Sequence, residues 1–155
     1  MKDFDYYIFI DYSENLLGYM IIENNKLKEL IPKISKFAHY KELKHKKEYL
    51  HSIKKEVDNK KIRNYILKIK IKDVRETPEI YVDIVEFIKK YDNCLIFISV
   101  DDKQFSNFER LVENIDGKNN KVVKESKLKK DSNVYHLSLI LDTLLNIERL
   151  KHHEK

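Results

Sequence analysis

Ile10-Asp11-Tyr12-Ser13-Glu14-Asn15-Leu16-Leu17-Gly18-Tyr19-Met20-Ile21-Ile22 is an apolar run that ends in a lone carboxylate, then a polar turn, a glycine and a second apolar run. The pattern predicts a β-hairpin over residues 6–11 and 18–23, with Asp11 at the end of a strand buried on both faces. A carboxylate there is costly to bury unpaired. It must therefore be hydrogen-bonded, turned to solvent, or gathered with other carboxylates around a metal ion.

Outward from the hairpin, Leu27, Leu30, Ile31, Ile34, Phe37 and Ala38 take helical spacing in a segment running from about 26 to 57. Pro32 either kinks that helix or delays its start, and the polar stretch from His39 to Lys47 is a candidate break. Residues 64–72 alternate as a strand with one wetter face. Thr77 is then a plausible N-cap, with Pro78 at the first helical position before the stripe Ile80, Ile84, Val85, Phe87 and Ile88. Cys94 to Val100 reads as a fully apolar strand ending in Asp101-Asp102, and a helix follows over about 104–115, closed by Gly117. A short strand at Lys121–Lys124 and a last helix capped by Asp131 complete the order β-β-α-β-α-β-α-β-α.

A hairpin followed by alternating helices and strands implies a mixed five-stranded α/β sheet with helices on both faces, one domain across 1–155. Right-handed crossovers place the first strand beside and parallel to strand 94–100. Asp11 and Asp101-Asp102 then share the sheet edge where ligands of such folds bind.

Composition narrows the function classes. The 155 residues suit one ordinary core, and no window approaches a membrane-spanning apolar run. The acidic start Met1-Lys2-Asp3-Phe4-Asp5 is unlike a signal peptide, so the expected location is cytoplasmic, without membrane association. The single cysteine, Cys94, excludes a disulfide framework and a thiolate metal site within one chain. Charge is uneven: from His39 to Arg63 nine Lys/Arg face four Asp/Glu, which accounts for the whole net charge of +5. Lys41, Lys44, Lys47, Lys54 and Lys55 in this basic helical segment, with Lys103, are candidate phosphate contacts; a solvated lysine-rich helix is the alternative.

Metal-assisted phosphodiester hydrolysis needs carboxylates converging from separate elements, because hard oxygen ligands bind Mg²⁺ or Mn²⁺. Asp11, Asp101 or Asp102, and Asp131 are the candidates. Asp142 competes with Asp131 for the last position, since about 16 Å of helix separates them. The sequence favours Asp131, because a helix start can face a strand-end cluster whereas Asp142 has apolar neighbours. Asp131 also serves as a simple N-cap, and Asp101-Asp102 as a turn and cap, without any metal. His136 is a secondary candidate, one turn beyond Asp131.

Three separated segments resemble the YqgF/RuvX-like proteins, Holliday-junction resolvases and pre-ribosomal-RNA nucleases of the RNase H-like superfamily. Ile10-Asp11-Tyr12-Ser13 through Gly18-Tyr19 resembles that family's opening Asp-Tyr-Gly hairpin. Val100-Asp101-Asp102-Lys103 resembles its Val-Asp-Glu-Arg strand end, and Lys129-Lys130-Asp131-Ser132 with Leu139-Ile140-Leu141 its closing helix. The resemblance implies an RNase H-like fold, catalytic metal ligands at Asp11, Asp102 and Asp131, and a branched-DNA or structured-RNA substrate. Departures are Ser13 for the glycine, Asp102-Lys103 for Glu-Arg, and no Gly-Leu-Pro turn near Lys70-Ile71-Lys72. An eroded module that binds nucleic acid or a protein, and a homodimer built on the long helix, are the competing readings.

Overall fold

The computed structural model describes residues 4–99, 102–115, 120–130 and 132–153. Strands β1 (Tyr6–Ser13) and β2 (Leu16–Glu23) form the hairpin, paired from Tyr6 opposite Glu23 to Ser13 opposite Leu16. Each strand runs two residues closer to the turn than its apolar run indicates. A two-residue connection permits this, with Glu14 at φ 53° in the left-handed region. Asp11 therefore sits within the ladder, opposite Gly18, rather than at the strand end.

Short helix α1 (Leu27–Leu30), α2 (Lys46–Asn59), β3 (Lys68–Asp73), α3 (Thr77–Lys90), β4 (Cys94–Ile98), α4 (Asp102–Ile115), β5 (Lys121–Lys124) and α5 (Asn133–His153) follow. The sheet order is β3-β2-β1-β4-β5, with β1 parallel to β4, β4 parallel to β5, and β3 antiparallel to β2. This is the mixed five-stranded sheet that the alternation of elements implies.

The expected helix over 26–57 is broken. Pro32 lies in a 3₁₀ turn at Ile31–Lys33, and helical hydrogen bonding resumes only at Lys46, after another 3₁₀ turn at Tyr40–Glu42. The apolar residues that suggested one helix are buried all the same, Leu30, Ile34 and Phe37 on the same core as Leu50, Ile53 and Val57 of α2. Thr77 is the first residue of α3 and not its cap. The capping carboxylate is Asp73, one turn earlier, which accepts the Arg75 amide at 2.9 Å and starts the 3₁₀ turn at Val74–Glu76. Gly117 and Asp131 lie outside the described residues, and Ser132 supplies a cap to α5, its hydroxyl accepting the Tyr135 amide at 3.2 Å.

Strand alternation divides the core in two. Ile8, Ile10, Leu17, Tyr19 and Ile21 pack under α3 and α4. Phe9, Leu16, Met20 and Ile22 pack under α5, which α1 and α2 cover in turn. Gly18 permits the closest approach of α5: a Cβ there would stand 3.2 Å from Leu145 Cδ2 and 3.2 Å from the Lys70 carbonyl oxygen. The outer edge of β3 carries exposed Lys68 and Lys72. Among the described residues no helix is long and apolar enough to cross a membrane.

Candidate active site

Phe9, Asp11 and Ser13 alternate onto the α5 face of the sheet, so the residue after two buried aromatic and aliphatic neighbours is a carboxylate only 9% exposed. Asp11 accepts the amide of Tyr12 at 2.8 Å and is within hydrogen-bond reach of the Ser99 hydroxyl. Ser99 follows β4 directly, its amide donating to the Ile10 carbonyl at 3.0 Å, which continues the parallel pairing past the strand end. Glu125 follows β5 in the same manner. It is two residues beyond Val123 and so shares that residue's face. The hydroxyls of Ser99 and Ser138 hold it. From α5, Asp142 is 6% exposed and its Oδ2 accepts the Tyr40 amide at 2.9 Å.

Strand β1, the 3₁₀ turn that follows β5 and helix α5 thus bring Asp11, Glu125 and Asp142 into one electrostatic group. Burial pushes the Asp11 carboxyl well above the usual range, and the charges of Glu125 and Asp142 push it further. Burial likewise raises Glu125 and Asp142; the Asp142 charge adds to the rise at Glu125, and His39 offsets part of it at both. His39 has a buried Nδ1 without a hydrogen-bond partner among the described residues and lines an open pocket of about 250 Å³ together with Glu42, Ser99, Glu125, Lys130 and Tyr135. An exposed Lys130–Glu42 ion pair of 2.9 Å ties the His39–Glu42 segment to the residues leading into α5.

A polar seam continues along α5. Asn146 Nδ2 donates to the Asp142 carbonyl at 2.8 Å, and Asn146 Oδ1 accepts from Ser13 Oγ at 2.9 Å. Arg149 donates to Ser13 Oγ at 3.2 Å and to Asn146 Oδ1 at 3.1 Å, with its guanidinium over the Tyr40 ring. The helix is thereby pinned to the hairpin that carries Asp11.

Of the residues the sequence points to, Asp11 and Asp142 come together. The apolar neighbours that argued against Asp142 belong to the other sides of a helix enclosed between the sheet and α2. Asp101 and Asp131 lie outside the described residues, and Asp102 is described only as the first residue of α4. His136 turns back on its own helix, Nδ1 being 3.0 Å from the Ser132 carbonyl oxygen. Lys41, Lys44, Lys47, Lys54, Lys55 and Lys103 are exposed. Sequence reasoning missed Glu125, Ser99, Ser138 and His39. The one trace of Glu125 in the sequence is its place directly after a strand, two residues beyond the half-buried Val123, in a run of charges that masks it.

The donors are of the right chemistry for Mg²⁺ or Mn²⁺, being hard oxygens. Among the described residues, however, no three Asp, Glu, His or Cys side chains stand close enough together to hold a metal ion. Asp11 and Asp142 are each held by a backbone amide, and Asp11 and Glu125 share the single proton of the Ser99 hydroxyl.

The fold matches a solved structure, a chain of the PCNA:RNase HII complex from Archaeoglobus fulgidus, with a TM-score of 0.53 at 14% identity over 96% of this chain and 73% of that one. That neighbour is an archaeal RNase HII, and the likeness establishes an RNase H-like fold here. No protein-family model matches the sequence, and no curated protein matches it.

Proposed function

We propose that this RNase H-like chain is a divalent-cation-dependent nuclease that hydrolyses phosphodiesters, with Asp11 at the centre of its site. The observation that carries the reading is the grouping of Asp11, Glu125 and Asp142 on the α5 face of the sheet, where Asp11 and Asp142 are buried and the charges of Glu125 and Asp142 add to the burial that raises the proton affinity of Asp11. Such repulsion at Asp11 is costly in the absence of a cation and is relieved by one. To hold Mg²⁺ or Mn²⁺, Asp11, Asp142 and Glu125 would have to draw closer together than they stand here, with Asp102 and Asp131 as the further ligands that the family resemblance implies. The bound ion would polarise the phosphate and lower the pKa of water. The chain's own part is to keep the carboxylates ionisable and oriented: Ser99 stands between Asp11 and Glu125, and the Tyr40 amide orients Asp142. Branched DNA or structured RNA is the substrate class, following the YqgF/RuvX-like resemblance.

The test is incubation of wild type and Asp11→Asn with labelled four-way-junction DNA and structured RNA in Mg²⁺ or Mn²⁺. Cleavage by wild type alone is expected, and unaltered cleavage by Asp11→Asn overturns the reading. A second reading, an RNase H-like module that binds without cutting, is favoured by the spacing of the acidic side chains, no three of which stand close enough together among the described residues to hold a metal ion. It requires binding that chelator leaves unchanged and no cleavage by either protein.

A further inference from the structure

A groove separate from the acidic group opens between α2 and the last turns of α5. It encloses about 390 Å³ and is lined by Lys47, Leu50, His51, Lys54, Ile147, Leu150 and Lys151. The three lysines come from two elements far apart in sequence and converge on one cleft, in a chain whose entire charge excess lies between His39 and Arg63. No ion pair engages Lys47 or Lys54 among the described residues, and Lys151 has only a 3.8 Å contact to Glu148 within its own helix. We infer that this groove binds the sugar–phosphate backbone of a single nucleic-acid strand flanking the point of cleavage, an inference that rests on the nuclease reading for the position of the cut but not for the binding.

The floor decides between a polyanion and an acidic amphipathic peptide. Leu50 is 5% exposed and Ile147 8%, and Leu150 alone of the aliphatic lining residues is partly exposed, so a docked apolar face would find one small hydrocarbon contact between the lysines. The groove's attraction is therefore carried by its lysines, and a repeating phosphate chain satisfies it without buried apolar contacts. Geometry ties the groove to the acidic group through α5. Ile147 to Lys151 lie about 8–14 Å along the helix axis from Asp142. At about 3.4 Å per phosphate along a duplex strand, and more along an extended single strand, that is at most about four nucleotides from the carboxylates. Lys41, Lys44 and Lys55, though exposed, do not line the groove.

The experiment measures binding of fluorescent single-stranded DNA and RNA oligonucleotides in chelator, as a function of salt, for wild type, Lys47→Ala/Lys54→Ala and a control of equal charge change, Lys89→Ala/Lys90→Ala, at the exposed end of α3. The groove variant is expected to weaken binding at least tenfold at low salt and to flatten the slope of log K against log salt by about 1.4, two single-strand phosphate contacts. Equal weakening by both variants overturns the inference. Competition by polyglutamate as effective as by unlabelled oligonucleotide overturns it in favour of an acidic protein partner. Because the readout is in chelator, a chain that binds through the groove and never cuts sustains this inference while defeating the nuclease reading; cutting that ignores the groove does the reverse.

Discussion

Asp83 and Asp11 are carboxylates on opposite faces of one sheet, and their surroundings treat charge in opposite ways. Asp83, on α3, accepts Lys70 Nζ at 2.7 Å and the Tyr19 hydroxyl at 3.1 Å, and Lys70 also reaches Glu79 at 2.9 Å. Partial burial alone would raise Asp83, but its hydrogen bonds and the lysine charges outweigh that and hold it below the ordinary value. Burial, and after it the Asp83 carboxylate, pushes the Tyr19 phenol up to about 12. Asp11 is raised by burial and then by two further carboxylates. One face has closed its electrostatics with a resident cation. The other leaves negative charge only partly compensated, by His39 and Lys41, inside the protein, which is a poor way to stabilise a fold and a good way to attract a metal ion.

The largest effect that separates the two faces is on chemistry. Asp11→Asn is expected to lower cleavage at least about a hundredfold, equivalent to about 2.7 kcal/mol of transition-state stabilisation. Lys70→Met is expected to lower the melting temperature and leave cleavage per folded molecule unchanged. Single-turnover assays alongside thermal melts check both, and a cleavage defect in Lys70→Met would erase the distinction. Gly18→Ala comes next, since its Cβ would press on Leu145 and on a backbone carbonyl that cannot swing aside. A loss of about 1–3 kcal/mol is expected in denaturant unfolding, with metal affinity falling too because Leu145 and Asp142 share α5.

The smallest effect is the most specific. At neutral pH, Asp11→Asn is expected to raise stability in chelator by about 1 kcal/mol, or about 2–4 °C in melting temperature. The sign follows from the direction of the shifts. Asp11, Glu125 and Asp142 all have folded-state proton affinities above their unfolded ones, so their favourable contribution is complete below the unfolded carboxylate range and is lost as pH rises through the folded values. The advantage of Asp11→Asn should therefore widen from pH 5 toward neutrality. Asp83, with its lowered value, contributes the opposite sense, stability lost as pH falls through its folded value. A flat difference between variant and wild type across pH would show that the carboxylates do not interact.

The sheet was legible because its signals are local: alternation in 68–72, unbroken apolar runs in β1 and β4, and the handedness of crossovers. The segment between β2 and α2 was not. Its leucines and isoleucines keep helical spacing while Pro32 and the turns around it pack them as short pieces. Asp11 announced itself as a lone charge between apolar runs. Glu125 follows a strand of four residues in the run Lys124-Glu125-Ser126-Lys127, and among so many charges it reads as loop. Asp142 was hidden for the opposite reason. Leu141, Thr143 and Leu144 around it are at most 1% exposed, so the apolar periodicity of α5 wraps nearly the whole helix and leaves no visible polar face on which to place a carboxylate.

The Tyr40 amide donates into the Asp142 carboxylate across 102 residues of sequence. A proton in that position is a reporter: its resonance follows the charge on Asp142 through a pH titration, without a label and without substrate. The same proton exchanges with solvent only when the segment around Tyr40 lifts away. One backbone signal therefore reads both the ionisation of the acidic group and how often its cover opens.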